Sequence, residues 1–215
     1  DTRIIGAQSY DDAAGADVFV VTAGIARKPG MSRDDLVKTN AGIVRSVTEH
    51  IARVAPKSII VVVSNPLDVM CYVAMKTTKF PRERILGMAG VLDSARLACF
   101  VAMELGVSAE SVQAMVMGGH GDTMVGLYDF CSVGGIPLKQ LMDKATFDKL
   151  AKRTAGAGGE IVALLKTGSA FYSPGVSAIE MAESYLLDKK KVVTVAAALN
   201  GEYGVKGLYV GVPVV

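Results

Sequence analysis

Asp17-Val-Phe-Val-Val-Thr-Ala-Gly24 and Ser58-Ile-Ile-Val-Val-Val-Ser-Asn-Pro66 decide the fold. Each is a short, near-continuous apolar run rather than an alternating one, the pattern of a strand buried on both faces of a parallel sheet. Each stops at small or turn-forming residues, Ala23-Gly24 in the first and Ser64-Asn65-Pro66 in the second. Between them a helical pattern opens at Ser32, a fitting N-cap, with Asp34 and Asp35 in the first turn. It runs through Leu36, Ile43, Val44 and Val47 to about Val54. Another helix follows Pro66, and 85–88 reads as a third short strand. Strands alternating with helices predict βαβ units, right-handed crossovers and a mostly parallel α/β sheet. Ligands of such sheets bind beyond the carboxyl ends of the strands. Gly24, the 27–33 loop and Asn65 all fall there.

The pattern changes near residue 90. A helix is predicted over 91–106, a strand over 112–117 and an antiparallel continuation over 121–133. Two helices follow, at about 146–166 and 177–187. The end reads as strand, turn, strand over 191–199, 200–204 and 206–215. This half is α+β in style, so a domain change is expected near residues 89–92, without an obvious linker.

A chain of 215 residues can bury a sizeable core. Its hydrophobic fraction is 51%, yet no apolar run approaches the roughly 18–20 residues of a membrane span. The longest candidate, 58–75, is broken by Asn65, Pro66 and Asp68. A formal net charge of +2 with balanced acids and bases gives no electrostatic case for nucleic acid. Cys71, Cys99 and Cys131 are odd in number, sit in apolar contexts and form no Cys-x-x-Cys pair. That argues against a disulfide framework or a metal site and for a reducing compartment. A cytoplasmic protein is the expectation. Both termini start or stop mid-pattern, as if cut from something longer.

Gly118-Gly119-His120-Gly121-Asp122 follows the apolar run 112–117. Three glycines around one histidine let the backbone bend sharply and a ligand come close. Histidine can take or give a proton near neutrality. The other histidine, His50, lies in a polar helical stretch and reads as solvated surface. Arg27 and Arg33 flank a loop and helix start, where two guanidiniums could grip a carboxylate or phosphate. Surface loops also carry arginines routinely. Asn65 could hydrogen-bond a ligand, or cap the helix that follows with Pro66 at its first position. Asp93 and Arg96, three apart, share one helical face between apolar flanks. They could form a plain intrahelical ion pair, but charges in so apolar a setting need partners. Gly156-Ala-Gly158-Gly159 resembles a nucleotide loop only superficially, because no strand precedes it. It reads as a closely packed helix segment, and the 10 methionines as core filling.

Together these residues resemble the lactate/malate dehydrogenase family. The matching stretches are T-A-G-I-A-R-K-P-G-M-S-R-D-D-L (22–36), V-S-N-P-L-D (63–68), G-M-A-G-V-L-D-S-A-R (87–96), G-G-H-G-D (118–122) and G-S-A-F-Y-S-P (168–174). Their order and spacing also match. The resemblance is strongest to the malate dehydrogenases that are lactate dehydrogenase-like in sequence. It implies an α/β fold: a Rossmann-type parallel sheet, its first βαβ missing, then an α+β catalytic domain. Residues 1–90 would be the remainder of the NAD-binding domain and 91–215 the catalytic domain. The implied activity is NAD-dependent oxidation of (S)-malate to oxaloacetate, a tricarboxylic acid cycle step, by a homodimer or homotetramer.

In that family role His120 is the general acid and base, and Asp93 fixes its imidazole and stabilises the cation. Arg96 forks onto the C1 carboxylate, Arg33 polarises the reacting carbonyl, and Asn65 bridges substrate and nicotinamide. Arg27 pairs with the second carboxylate, which separates malate from lactate. Asn40, Val63 and Ser64 line the cofactor site, with Gly24 at the strand end beside them. The loop bearing Arg27 and Arg33 closes over the substrate and excludes water. The family's G-x-G-x-x-G turn would lie upstream of Asp1, so the chain reads as part of a longer enzyme. The alternatives are a lactate or other 2-hydroxyacid dehydrogenase, and a catalytically silent binding module lacking the nucleotide loop. Gly126 stands where close relatives tend to have proline.

Overall fold

The computed structural model describes residues 2–26, 32–166 and 168–215, with Arg33 as backbone only. In it β1 (Val18–Val21) and β2 (Ile59–Val62) pair in parallel, from Val18 opposite Ile59 to Val21 opposite Val62. β3 (Ile85–Gly87) adds to β2, also in parallel. α1 (Arg33–Val54) and α2 (Leu67–Thr78) make the crossovers. Ser32 caps α1 as its sequence predicts. Its hydroxyl accepts from the Asp35 N–H at 3.0 Å, while the Asp35 carboxylate accepts from the Ser32 N–H at 3.3 Å. Such a box satisfies two otherwise orphaned donors and stabilises a helix start by about 1 kcal/mol.

The sheet continues past residue 90. β9 (Val193–Asn200) meets β3 antiparallel at Ala196 and Gly87, and forms a long hairpin with β10 (Lys206–Val214). β10 in turn carries β5 (Val116–Gly118), and β5 carries β6 (Met124–Gly126). The order is β1-β2-β3-β9-β10-β5-β6. A second sheet joins β4 (Val112–Gln113), β7 (Ser132–Val133) and β8 (Ile136–Pro137).

The single strand expected over 112–117 is therefore two strands in two sheets. The switch has a cause: the Val116 N–H donates to the Ser94 hydroxyl at 3.0 Å, and the Leu127 N–H to the Met115 carbonyl at 2.9 Å. These bonds pull the backbone off the β4 line. The continuation over 121–133 is likewise split, into β6, a 3-10 turn at Tyr128–Phe130 and β7. α3 (Gly90–Leu105) and α4 (Lys144–Leu165) fall close to the expected ranges. α5 (Tyr172–Leu186) starts at Tyr172 rather than at 177. Pro174 lies in its first turn, where a missing N–H breaks no helical bond.

The two faces of β2 go to two different cores. Ile60 and Val62 join Val44, Ile51, Met70 and Ile85 beneath α1 and α2. Ile59 and Val61 join Met88, Leu92, Met181 and Val195 on the side of α5. This is why β2 reads as uninterrupted Ile and Val, since each fully buried side chain contributes about 1.5–3 kcal/mol. A third core packs Leu97 and Val101 of α3 against Val116, Leu138 and Phe147. Among the described residues no helix is long and apolar enough to cross a membrane.

Candidate active site

Three close backbone approaches put the histidine where it is. Gly211 of β10 lies opposite Gly118 of β5, and a Cβ on Gly211 would stand 2.6 Å from the Gly118 carbonyl oxygen. The chain then reverses through Gly119-His120-Gly121-Asp122 into β6, with φ +90° at Gly118 and +128° at Gly121. A Cβ on Gly119 would meet the Thr123 hydroxyl at 2.1 Å. On the facing side α3 begins at Gly90, where a Cβ would be 2.5 Å from the Thr194 side chain and 2.7 Å from the Val116 carbonyl. Only glycine lets α3 cross β9 and β5 so closely.

Asp93, in the first turn of α3, consequently meets His120. Its Oδ2 lies 2.8 Å from His120 Nδ1. The Asp93 side chain is 2% exposed and that of His120 17%, so the carboxylate is shut away while part of the ring reaches solvent. One turn on, Arg96 Nη1 is 3.6 Å from Asp93 Oδ1, and its side chain is 13% exposed. The three residues that the sequence singled out are thus brought together. Arg96 Nε and Asp93 Oδ1 are buried without a hydrogen-bond partner. Burial lowers the Arg96 pKa, and the Asp93 charge opposes that. A sheltered guanidinium with an unfilled N–H suits a carboxylate, which can take two parallel bonds from it. Gly158 of α4 leaves room for the group: a Cβ there would be 3.7 Å from Arg96 Nη2. The glycine-rich segment is helical, as expected, and this one glycine abuts the arginine.

The carboxyl ends of β1 and β2 are held by side-chain bonds. Asn40 is buried in α1. Its Oδ1 accepts from the Ile25 N–H at 2.8 Å, and its Nδ2 donates to the carbonyls of Asn65 at 2.7 Å and Ile25 at 3.1 Å. The Ser64 hydroxyl donates to the Ala23 carbonyl at 2.6 Å. The Val63 N–H donates to the Val21 carbonyl at 2.8 Å. Asn40 and Ser64, expected to line a cofactor site, therefore use their polar side chains to tie the strand ends together. Gly24 (φ +150°) is exposed beside them, and a Cβ on it would stand 3.2 Å from Asn40 Oδ1. Asn65 is exposed where β2 ends. Pro66 is the N-cap of α2 and no side chain caps that helix, so the capping role open to Asn65 is not the one it has. Its peptide bond to Pro66 is cis. The exposed amide and glycine thus lie at strand ends that these bonds tie together.

Arg27 and the rest of 27–31 lie outside the described residues, as does the Arg33 side chain; the Arg33 backbone opens α1. His50 is exposed and stacks on Tyr10, with ring centroids 4.4 Å apart. The cysteines are free: Cys71 and Cys131 are buried and Cys99 is exposed. Among the described residues no cluster of three His, Cys, Asp or Glu could hold a metal ion.

One acidic residue escaped the sequence reading. Asp68, in the first turn of α2, is half-buried, and its Oδ1 is buried without a partner. Its Oδ2 lies 3.9 Å from where a Cβ on Gly119 would stand. Burial raises its pKa, and the charge of His120 pulls the other way. The available signal was an acid three residues after Asn65, in the first helical turn beyond a strand end.

A proton donor–acceptor pair beside a sheltered guanidinium, at the mouth of a parallel sheet, suits proton exchange with an oxygen next to an anion. Comparison with known proteins bears on that chemistry. Residues 1–87 match the lactate/malate dehydrogenase NAD binding domain, and residues 90–215 the alpha/beta C-terminal domain of the same family. The malate dehydrogenase of Geotalea daltonii is 56% identical over 99% of this chain and 70% of its own length. The apo malate dehydrogenase from Picrophilus torridus superposes with a TM-score of 0.92 at 50% identity, covering 95% of this chain and 65% of that one. A lactate dehydrogenase from Cryptosporidium parvum, complexed with lactic acid and the dinucleotide, gives 0.93 at 41% identity, covering 100% and 69%. The chain thus spans 65–70% of the length of these relatives.

Proposed function

The chain belongs to the lactate/malate dehydrogenase family, and we propose that it carries the substrate and proton-transfer groups of an NAD-dependent malate dehydrogenase. The observation that carries this reading is the 2.8 Å contact of His120 Nδ1 with Asp93 Oδ2, with Arg96 packed against the same carboxylate. NAD is the cofactor of the matched domain, and when bound it exchanges hydride with the C2 carbon of the substrate.

In oxaloacetate reduction protonated His120 gives its Nε2 proton to the C2 carbonyl oxygen; in malate oxidation neutral His120 takes the hydroxyl proton. Asp93 fixes the tautomer by engaging Nδ1 and stabilises the ring when charged. Arg96 forks onto the C1 carboxylate, where the substrate supplies the partner that its Nε–H lacks. Arg33 polarises the C2 carbonyl, and Asn65 holds substrate against the nicotinamide. Arg27 pairs with the C4 carboxylate. Gly24 and Val63, set by the Asn40 and Ser64 ties, form the nicotinamide wall. A dicarboxylate brings two charges and develops a third on the alkoxide, which three arginines match. A methyl keto acid would strand Arg27 in a closed site, and this favours malate over lactate. The 27–33 loop closes over the bound substrate.

Residues 1–90 act as the dinucleotide side and 91–215 as the catalytic side. The enzyme works in the cytoplasm, in the tricarboxylic acid cycle, as a homodimer or homotetramer. Exposed Val176 and Ile179 of α5 and Met103 of α3 support the self-association.

The test is the rate of NADH oxidation with oxaloacetate and then with pyruvate. A preference for oxaloacetate of about 10²–10³-fold, the factor for a desolvated charge pair worth roughly 3–5 kcal/mol, is expected. Preference for pyruvate makes the protein a lactate dehydrogenase. Fluorescence-detected NADH binding without turnover on either acid makes it a silent module.

A further inference from the structure

Asp93 explains one side of His120 and leaves the other unexplained. Asp68 reaches the same loop from α2, with Oδ2 3.9 Å from the Cβ position of Gly119. Its Oδ1 is buried and unpartnered, an arrangement that costs stability. α2 packs on β10, the strand that holds the His120 loop through Gly211, so the two are fixed relative to each other. Among the described residues, His120 Nδ1 meets Asp93, with Arg96 behind it on α3; Asp68 on α2 lies beside Gly119, and exposed Asp122 follows within the loop. Buried Cys71 lies beyond Asp68.

We propose that Asp68 is a second carboxylate of the proton-transfer centre, a positioning residue that acts through His120 by stabilising its protonated ring without bonding to it. This rests on the malate dehydrogenase reading and deepens it. Asp93 is committed to Nδ1 and fixes the tautomer. Asp68 supplies charge alone, from its place on α2 beside Gly119, and so sets the pH range over which the acid form persists. The coupling is reciprocal: the His120 charge also favours ionised Asp68.

The electrostatics gives the two directions opposite signs. Reduction needs protonated His120 and oxidation needs the neutral ring. Asp68→Asn keeps the shape and removes the charge. The alkaline limit of oxaloacetate reduction should then move toward acid, with kcat near pH 8 falling about tenfold, the factor that one unit of displacement gives. The acid limb of malate oxidation should extend to lower pH. KM for both substrates should stay within about twofold, because a group that acts only through His120 makes no substrate contact of its own. A merely structural role would lower both directions together and leave the pH dependences in place.

A second measurement needs no turnover. The chain has only two histidines, so imidazole NMR signals can be assigned with a His50→Gln variant. In Asp68→Asn the His120 signals should titrate over a range displaced toward acid, while those of His50 do not move. Displacement without any malate dehydrogenase activity in the parent protein would sink the functional reading and leave this coupling standing. No displacement, or equal loss in both directions at unchanged pH dependence, overturns the proposal.

Discussion

Gly211 and Gly118 face each other across β10 and β5 so closely that a methyl group on Gly211 would press within 2.6 Å of the Gly118 carbonyl oxygen. The His120 loop departs from Gly118. The reach of the histidine toward Asp93 is therefore set by a contact between two backbones, and neither glycine offers any chemistry of its own.

Gly211→Ala should destabilise the fold by about 1–3 kcal/mol, the cost of overpacking where the neighbour is backbone and cannot rotate away. It should also lower kcat, because the loop is displaced relative to α3. Gly42→Ala is the control. It sits in α1 with nothing within 4 Å of its Cβ position, and alanine in a helix interior gains about 0.5–1 kcal/mol over glycine. Urea midpoints moving in opposite directions are expected. A neutral Gly211→Ala would mean that β10 can shift freely under the loop.

Asp93→Asn should lower kcat for oxaloacetate reduction by about 10²–10⁴-fold, the range of general acid–base contributions. The amide cannot stabilise an imidazolium, and it can hold Nδ1 in the wrong tautomer. KM should rise as well, since Arg96 loses the charge that it packs against at 3.6 Å. Steady-state kinetics on both substrates checks this. A kcat effect under tenfold would remove Asp93 from the proton-transfer centre.

Asp68 gives a stability prediction with a definite sign. Burial raises its folded pKa above the usual carboxylate value. A raised acid is favourable in its protonated form, so its contribution is fully present below the unfolded value and is lost as pH rises through the folded one. At neutral pH the ionised group is thus a burden that Asp68→Asn removes. Thermal midpoints of the variant should exceed those of the parent near pH 8, and the gap should close toward about pH 4, the unfolded carboxylate range. A carboxylate at a helix N-terminus works in the other direction by about 0.3–1 kcal/mol, and a variant less stable at pH 8 would show that term to be the larger. More stability with less activity is the signature of a residue kept for function.

Much of this was legible before any coordinates. The Ile/Val runs of β1 and β2 announce burial on both faces, and the Ser32–Asp35 box announces the start of α1. Asp93 and Arg96 stood out because charge is scarce in their apolar surroundings, and His120 because three glycines surround it. What stayed hidden depends on partners distant in sequence. The break between β4 and β5 follows from the Ser94 hydroxyl, which lies on another element. α5 starts early because Pro174 is harmless in a first turn and looks like a stop in a string of letters. Asn40 and Ser64 were expected to line a cofactor site, and that their side chains also tie backbone together is something only strand-end geometry reveals. Asp68 was invisible because an acid early in a helix has an ordinary explanation, and its nearness to Gly119 exists only once β10 is in place.

Substrate choice is expected to turn on Arg27. Arg27→Gln should lower kcat/KM for oxaloacetate and raise it for pyruvate. The arginine supplies a charge-assisted pair to the distal carboxylate, and breaking a desolvated pair of this kind costs roughly 3–5 kcal/mol, a factor of about 10²–10³ in rate. Glutamine also takes away a cation that a methyl substrate would leave unpaired, so the gain on pyruvate has its own cause. The change should fall on discrimination. Arg96 with Asp93 and His120, 3.6 and 2.8 Å apart in their respective pairs, still hold and protonate the 2-keto acid portion common to both substrates. Parallel kinetics on the two acids decides the matter. Equal losses on both would make Arg27 a support of its loop, and an unmoved preference would leave malate over lactate without a physical basis in this residue.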